Sequence, residues 1–318
     1  MRSYLEFEKP VADIEGRIHE LRNMAQQDDN VDLAAEITRL ERRATETLAE
    51  LYSRLTPWDK TQVARHPDRP HFKDYVDAFI TDFTVLAGDR YFADDEAVLA
   101  GFGRFDGQSV AVIGHEKGAD TQSRLKHNFG MARPEGYRKA VRVMDMACRF
   151  GIPVITLVDT PGAYPGVGAE ERGQAEAIAR SIEKCMSLTV PIVSVITGEG
   201  GSGGAIAIAT ANRVYMLEHS VYSVASPEAA ASILWRDSGR AKDVAAAMKI
   251  TAQDLRQLGV IDGIIDEPVG GAHREPSVVM AGTAQTIRAA LDELAGLNSE
   301  ELRRQRREKF LAIGRNLG

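Results

Sequence analysis

Val190-Pro191-Ile192-Val193-Ser194-Val195-Ile196-Thr197-Gly198-Glu199-Gly200-Gly201-Ser202-Gly203-Gly204-Ala205-Ile206-Ala207-Ile208-Ala209-Thr210-Ala211-Asn212 decides how the rest of the chain is read. Its first part is a short apolar run rich in β-branched residues, the pattern of a buried strand. Five glycines in the seven residues Gly198 to Gly204 then break the run, and the alanine-rich Ala205 to Ala209 resumes as a helix. A strand that enters a helix through glycine leaves backbone N–H groups without a Cβ to shield them. The helix aims its unpaired first amides, and the positive end of its dipole, at the same point. The stretch predicts an anion-binding turn, for either a bound phosphate or an oxyanion that forms during a reaction.

One strand and one helix earlier the same design recurs. Val154 to Val158 reads as a buried strand, followed by Asp159-Thr160-Pro161-Gly162-Ala163-Tyr164-Pro165-Gly166-Val167-Gly168. A helix then opens on Ala169-Glu170-Glu171, with Ala175, Ile178, Ala179, Ile182, Cys185 and Met186 as its apolar side; Gly173 falls inside it and reads as a close helix contact. In a parallel sheet both turns leave the carboxyl ends of strands, so the spacing predicts that they face one another.

Further out, Val98 to Phe105 and Ser109 to Gly114 flank Asp106-Gly107, a hairpin signal. Pro134 starts a helix with Tyr137, Ala140, Val141, Met144 and Cys148 inward, closed by Gly151 and Pro153. Downstream, Val214 to Leu217 and Val221 to Val224 predict strands. Helices are expected at Pro227 to Trp235, Arg240 to Leu258, Ala281 to Leu294 and Glu300 to Phe310. The repeated strand, helix, strand order defines an α/β core with a mainly parallel sheet.

At the amino end, Ile14, Ile18, Leu21 and Ala25, then Leu33, Ile37, Leu40, Ala44, Leu48, Leu51 and Leu55, recur every three or four residues. They predict two amphipathic helices with a polar turn at Asp28-Asp29-Asn30: an arm that packs on its own domain or clasps another subunit. Thr56-Pro57 ends the second helix, and the proline-rich Ala64 to His71 is an extended connector in which His66 and His71 lack the further ligands of a metal site. The chain thus divides into a helical hairpin and connector over 1–75, a core over 76–275 and closing helices over 276–318. In the last part, Arg303-Arg304-Gln305-Arg306-Arg307 reads as a solvated helix face.

Composition narrows the function. A hydrophobic content of 44% supports a sizeable core, and a net charge of -7 argues against specific nucleic-acid binding. Two cysteines, Cys148 and Cys185, supply neither a disulfide framework nor a zinc cluster. The absence of a long apolar run makes a cytoplasmic chain without a membrane partner the expectation.

Three chemistries fit glycine turns at strand ends. Nucleotide hydrolysis is disfavoured: Asp159-Thr160-Pro161-Gly162 has the Asp-x-x-Gly form, but Gly204-Ala205 stands where a phosphate-binding loop needs Lys and Ser or Thr. A serine nucleophile is formally present, since Gly200-Gly201-Ser202-Gly203-Gly204 contains G-x-S-x-G, with His219 or His273 and an acid such as Asp262 as conceivable partners. Ser202 is explained equally as a small turn residue. The third is an oxyanion hole built from backbone amides, which suits enolate chemistry.

Several long motifs then agree. Gly162 to Gln174, Asn128-Phe129-Gly130-Met131, Pro134 to Ala140, Gly198 to Ala205, Tyr222 to Glu228 and Pro268 to His273 resemble the carboxyltransferase alpha subunit of bacterial acetyl-CoA carboxylase, over nearly the whole chain. The resemblance implies a crotonase-like (ClpP/crotonase) spiral of ββα units carrying the N-terminal hairpin. It implies transfer of the carboxyl group of carboxybiotin, borne by a biotin carboxyl carrier protein, to acetyl-CoA, giving malonyl-CoA for fatty acid synthesis. It also implies a carboxyltransferase beta subunit in an α2β2 assembly, biotin carboxylase in the larger complex, and a zinc site on the beta subunit only. A subunit of another biotin-dependent carboxylase or decarboxylase is the related alternative.

On that resemblance, amides at Gly203 and Gly204 stabilise the ureido oxygen of biotin, with Gly200 and Gly201 beside them. Gly162, Ala163, Tyr164 and Gly166 shape the opposing wall, with Tyr164 against the biotin ring. Arg133 and Arg138, with Arg124, Lys126 and Lys139 nearby, are candidates to meet coenzyme A phosphates or the partner.

Overall fold

The two apolar stripes at the amino end form α1 (Lys9–Gln27) and α2 (Ala34–Ser53), which bury Val11, Ile18, Leu21, Ala44, Leu48 and Tyr52. The computed structural model describes residues 3–27 and 33–315, so the expected turn at Asp28-Asp29-Asn30 lies outside the described residues. Thr56-Pro57 does more than stop α2. Thr56 caps a new helix, α3 (Pro57–Ala64), by accepting the Asp59 N–H at 3.2 Å, and Pro57 occupies its first position. Ala64 therefore ends α3, and the connector begins at Arg65. It leads to α4 (Phe72–Phe79).

One sheet organises the remainder of the chain. It runs β1 (Thr81–Val85), β2 (Val98–Phe105) and β3 (Gln108–His115), antiparallel across the Asp106-Gly107 turn, and then turns parallel. Short α5 (Thr121–Lys126) and long α6 (Pro134–Phe150) carry the chain to β4 (Val154–Thr160). Next come α7 (Val167–Glu170), α8 (Gln174–Ser187), β5 (Ile192–Gly201) and α9 (Ser202–Ala209). β6 (Arg213–Leu217) continues the sheet, while β7 (Val221–Ser223) pairs with the far end of β5 and bridges to Thr251. α10 (Pro227–Trp235), α11 (Ala241–Ala247) and α12 (Ala252–Gln257) precede β8 (Gly263–Ile265) at the sheet edge, and α13 (Pro276–Leu294) and α14 (Ser299–Ala312) close the order.

Alternation along the central strands explains why both faces are covered. Ala111, Ile113, Val154, Val158, Ile192 and Ile196 point to a core shared with α6, α8 and α9. Val110, Val112, Ile155, Leu157, Val193 and Val195 point to a second core, closed by Phe72, Tyr75 and Val76 of α4 and by Val279, Ile287, Ala290 and Leu291 of α13. Strands buried on both faces read as unbroken apolar runs, as β4 and β5 do.

Four expectations need correction. The single helix over 240–258 is two, because Lys249 takes a left-handed φ of 55° and Thr251 starts α12 by capping Asp254. Gly173 is not inside a helix: with φ 80° it is the left-handed hinge between α7 and α8. The inward face of α8 is Gln174, Ala177, Ser181 and Cys185, with Ala175 and Ala179 exposed. Ser181 turns inward because its hydroxyl donates to the Ala207 carbonyl at 2.6 Å. Arg306 is also no solvated residue. It is fully buried and donates to the carbonyls of Cys185 and Leu188 and to Asn212 Oδ1 at 2.7, 3.0 and 2.6 Å, while Arg303, Arg304 and Arg307 remain exposed.

Candidate active site

β4 and β5 run in parallel, Val158 level with Ile196, and their two glycine turns meet at the carboxyl edge of the sheet. The approach is backbone to backbone. A Cβ on Gly201 would collide with the Pro161 carbonyl, and one on Gly204 would lie 2.8 Å from Ala163 N and from Gly162 C. Any side chain at either position forces the two turns apart, so glycine there is a packing requirement.

The turns differ in what they offer a ligand. In the β4 turn, Gly162 N–H donates to Thr160 Oγ1 at 3.1 Å and Tyr164 N–H to the Ala132 carbonyl at 3.0 Å. Those two amides are spent internally, so Gly162 and Tyr164 serve as wall and not as donors. In the β5 turn, Ser202, Gly203 and Gly204 form the first turn of α9, whose amides have no carbonyl one turn back to bond. No side chain among the described residues caps that end. Ser202 reaches the helix through a left-handed φ of 47°, a strained geometry for a residue with a Cβ. Ser202 is exposed and Gly203 partly so, whereas Gly204 is buried.

Behind the turns lies a charged layer that sequence reasoning missed. Lys117 Nζ sits 2.7 Å from Asp159 Oδ1 and 2.9 Å from Glu199 Oε2. Arg65, from the connector, reaches Glu199 Oε1 at 2.6 Å and Glu228 at the start of α10 at 2.5 Å. Burial works against the charged form of Glu199, but Lys117 and then Arg65 outweigh it and hold its pKa at about 2. Burial likewise works against the Lys117 ammonium, and Asp159 and Glu199 overcome it and raise its pKa. A cavity of about 280 Å³ opens between the connector and these strand ends, walled by Arg65, Lys117, Arg124, Phe129, Pro161 and Glu199. The available signal was positional: Lys117, Asp159 and Glu199 all follow or end strands at the sheet edge where open α/β sheets bind ligands.

The predicted basic residues divide. Arg133 stacks over the Tyr164 ring at 5.0 Å. Arg138 is engaged within the chain, donating to the Arg172 carbonyl and lying over Tyr91 at 5.2 Å. Lys139 is buried against Asp94 at 2.6 Å, and Lys126 is exposed beside Glu96. Only Arg124 of the set lines the cavity. Tyr164 is half-buried, its carbonyl accepting from Gln174 Nε2 at 2.8 Å. Gly200 is packed under the Tyr222 ring, and Gly166 under that of Tyr164.

A serine triad that uses Asp262 is ruled out by the register. Asp262 accepts the Val214 N–H at 2.7 Å, and Val214 pairs with Ser194, eight residues before Ser202 on β5. At about 3.3 Å per residue the acid lies more than roughly 20 Å from that hydroxyl. His273 stacks on His66 at 3.7 Å, and His219 packs edge-on against Tyr52 of α2 at 5.5 Å.

The fold is that of the crotonase-like carboxyltransferases. It resembles the structure of transcarboxylase 12S with methylmalonyl-coenzyme A and methylmalonic acid bound, at TM-score 0.58 and 21% identity over 71% of this chain and 42% of that one. It also resembles a Pseudomonas malonate decarboxylase hetero-tetramer in complex with coenzyme A, at TM-score 0.56 and 16% identity over 66% of this chain and 84% of that one. Sequence carries the assignment further. Residues 4–314 match the family described as acetyl co-enzyme A carboxylase carboxyltransferase-like. The acetyl-coenzyme A carboxylase carboxyl transferase subunit alpha of Chelativorans sp. (strain BNC1) is 70% identical over 317 residues, and that of Rhizobium rhizogenes 66%, each covering 100% of both chains. The chain belongs to this family of carboxyltransferase alpha subunits.

Proposed function

We propose that the chain transfers the carboxyl group of carboxybiotin, presented by a biotin carboxyl carrier protein, to acetyl-CoA, forming malonyl-CoA. It does so with a carboxyltransferase beta subunit in an α2β2 assembly, alongside biotin carboxylase, in the cytoplasm; we assign zinc to the beta subunit. No described helix is long and apolar enough to cross a membrane.

The observation that carries this reading is the uncapped first turn of α9 set against the β4 turn. Carboxybiotin supplies the carboxyl group, and the charge that develops in the exchange rests on carbonyl oxygens. Gly203 and Gly204 N–H donate to such an oxygen, and each donor is worth about 3 kcal/mol of barrier when it meets charge present only in the transition state. Gly162, Ala163, Tyr164 and Gly166 form the facing wall. Arg133 over Tyr164 stiffens that wall and presents a cation to coenzyme A or to the partner. Arg138, already bonded to the Arg172 carbonyl, braces the entrance of α6.

A Gly203→Val change is a poor test, because a Cβ there meets Ile178 at 3.3 Å and disturbs packing as well as donation. Replacing Gly203 or Gly204 by glycolic acid deletes one N–H and adds no side chain. In malonyl-CoA-dependent carboxylation of free biotin by the assembled enzyme, each ester is expected to lower kcat by about 100- to 1000-fold with little change in KM. Unchanged kcat in both overturns the reading. Activity that requires a substrate other than malonyl-CoA or acetyl-CoA favours a different biotin-dependent carboxylase or decarboxylase.

A further inference from the structure

The ladder between β4 and β5 slips just before the site. Val158 pairs with Ile196, but Thr160 pairs with Gly200, so two steps along β4 match four along β5. Asp159 occupies the slip. Its Oδ1 accepts the Glu199 N–H at 2.8 Å, in place of a carbonyl from the neighbouring strand, and the same carboxylate holds Lys117. A Cβ on Gly198 would collide with this carboxylate, so glycine leaves the room that Asp159 fills. Past the slip, Glu199 to Gly201 pair with Val221 to Ser223 of β7, and the next residue begins α9. The direction of α9 is therefore set where Asp159 takes the Glu199 amide.

Lys117 is the second half of the device. It comes from the segment after β3 and ties that segment to both β4 and β5 through Asp159 and Glu199. Gly130 fits beneath it only because it lacks a side chain: a Cβ would lie 2.9 Å from Lys117 Cγ and from the Asp159 carbonyl. Three strand ends thus share one buried cation. A network of this kind holds a unique geometry when every member is satisfied and loses it when one partner is removed. The other charged groups around it are Arg65, Arg69 and Glu228, while burial and then Lys117 lower the pKa of the neighbouring His115 to about 3 and keep it neutral.

We propose that Asp159 and Lys117 are positioning residues for carboxyl transfer: they hold the Glu199 amide in the slip and so aim Gly203 and Gly204 at the reacting oxygen. The inference rests on the oxyanion reading above, and its test separates the two. In the assembled enzyme, with free biotin and malonyl-CoA, Asp159→Ala is expected to lower kcat at least about 100-fold while KM for biotin stays within about three-fold. Asp159→Asn, which keeps an acceptor for the Glu199 amide, is expected to recover to within about ten-fold of the parent. Lys117→Met strands the carboxylate, so adding Asp159→Asn to it should raise kcat above that of Lys117→Met alone.

Thermal midpoints and the yield of assembled complex are read on every variant. The proposal is overturned if Asn is no better than Ala at equal folded fraction, if activity follows folded fraction alone, or if KM rises with kcat intact. Should Asp159→Ala fail to assemble, the Lys117→Met series decides the same point: additive effects overturn the proposal. Slow glycolic esters with an unaffected Asp159→Ala remove the positioning role only. Esters that leave kcat unchanged remove the oxyanion reading itself.

Discussion

The two ends of β5 bury charge in opposite ways. At the carboxyl end, Lys117, Arg65, Asp159 and Glu199 pair cation with carboxylate, next to a helix turn whose amides are uncapped. At the amino end, Arg306 of α14 gives its guanidinium to the carbonyls that close α8 and to Asn212, with no carboxylate among its hydrogen-bond partners in the described residues. Burial pushes the Arg306 pKa down to about 10, the direction expected of a cation taken out of water without a carboxylate beside it. The amino end is a lock in which both terminal nitrogens of Arg306 are consumed by the fold. The carboxyl end leaves donors free and holds a strained Ser202, as a site that must act on something else requires.

Substitutions can break or sharpen this contrast. The largest effect is expected at the lock: Arg306→Leu leaves several buried carbonyls without partners and should destabilise the chain by about 3–5 kcal/mol, seen as a lower urea midpoint. Enzyme that still folds should keep its kcat, and a selective loss of kcat would erase the distinction between the two ends.

At the other end, Glu199 has its pKa lowered from 4.5 to about 2, so its contribution is present above pH 4.5 and is lost as pH falls toward 2. Glu199→Gln should cost up to about 3 kcal/mol at neutral pH and flatten stability between those limits, measured by denaturant titrations across pH. An equally steep acid dependence in the variant would place the titration elsewhere. The smallest effect is expected at Glu228, which shares Arg65 with Glu199 but is more exposed. Glu228→Gln should change stability by about 1 kcal/mol or less, and less still in high salt.

Much of this was legible in the residues, for local reasons. The strand, turn and helix at Ile192 to Ala209, the hairpin about Asp106-Gly107 and α10 over Pro227 to Trp235 all announce themselves by period and by turn residues. What escaped was non-local or polar. The phase of α8 was misread because Gln174 and Ser181 point inward to bond carbonyls, which apolar counting cannot register. Arg306 was indistinguishable from Arg303, Arg304 and Arg307 by type; its spacing of four from buried Leu302 was the one clue. The Lys117, Asp159 and Glu199 cluster draws on three strand ends, and no single window holds it. The break before α12 was present as Thr251 three residues ahead of Asp254, a cap signal overlooked inside a longer apolar pattern.

The sheet face bearing Leu157, Val193 and Val195 is roofed jointly by α4 and α13. These helices lie some 200 residues apart in sequence, so a nascent chain exposes half of that oily face until α13 has been made. Cotranslational folding of this protein must therefore proceed with one core sealed and the other open, which is when a chaperone or an early-arriving partner subunit has most to protect.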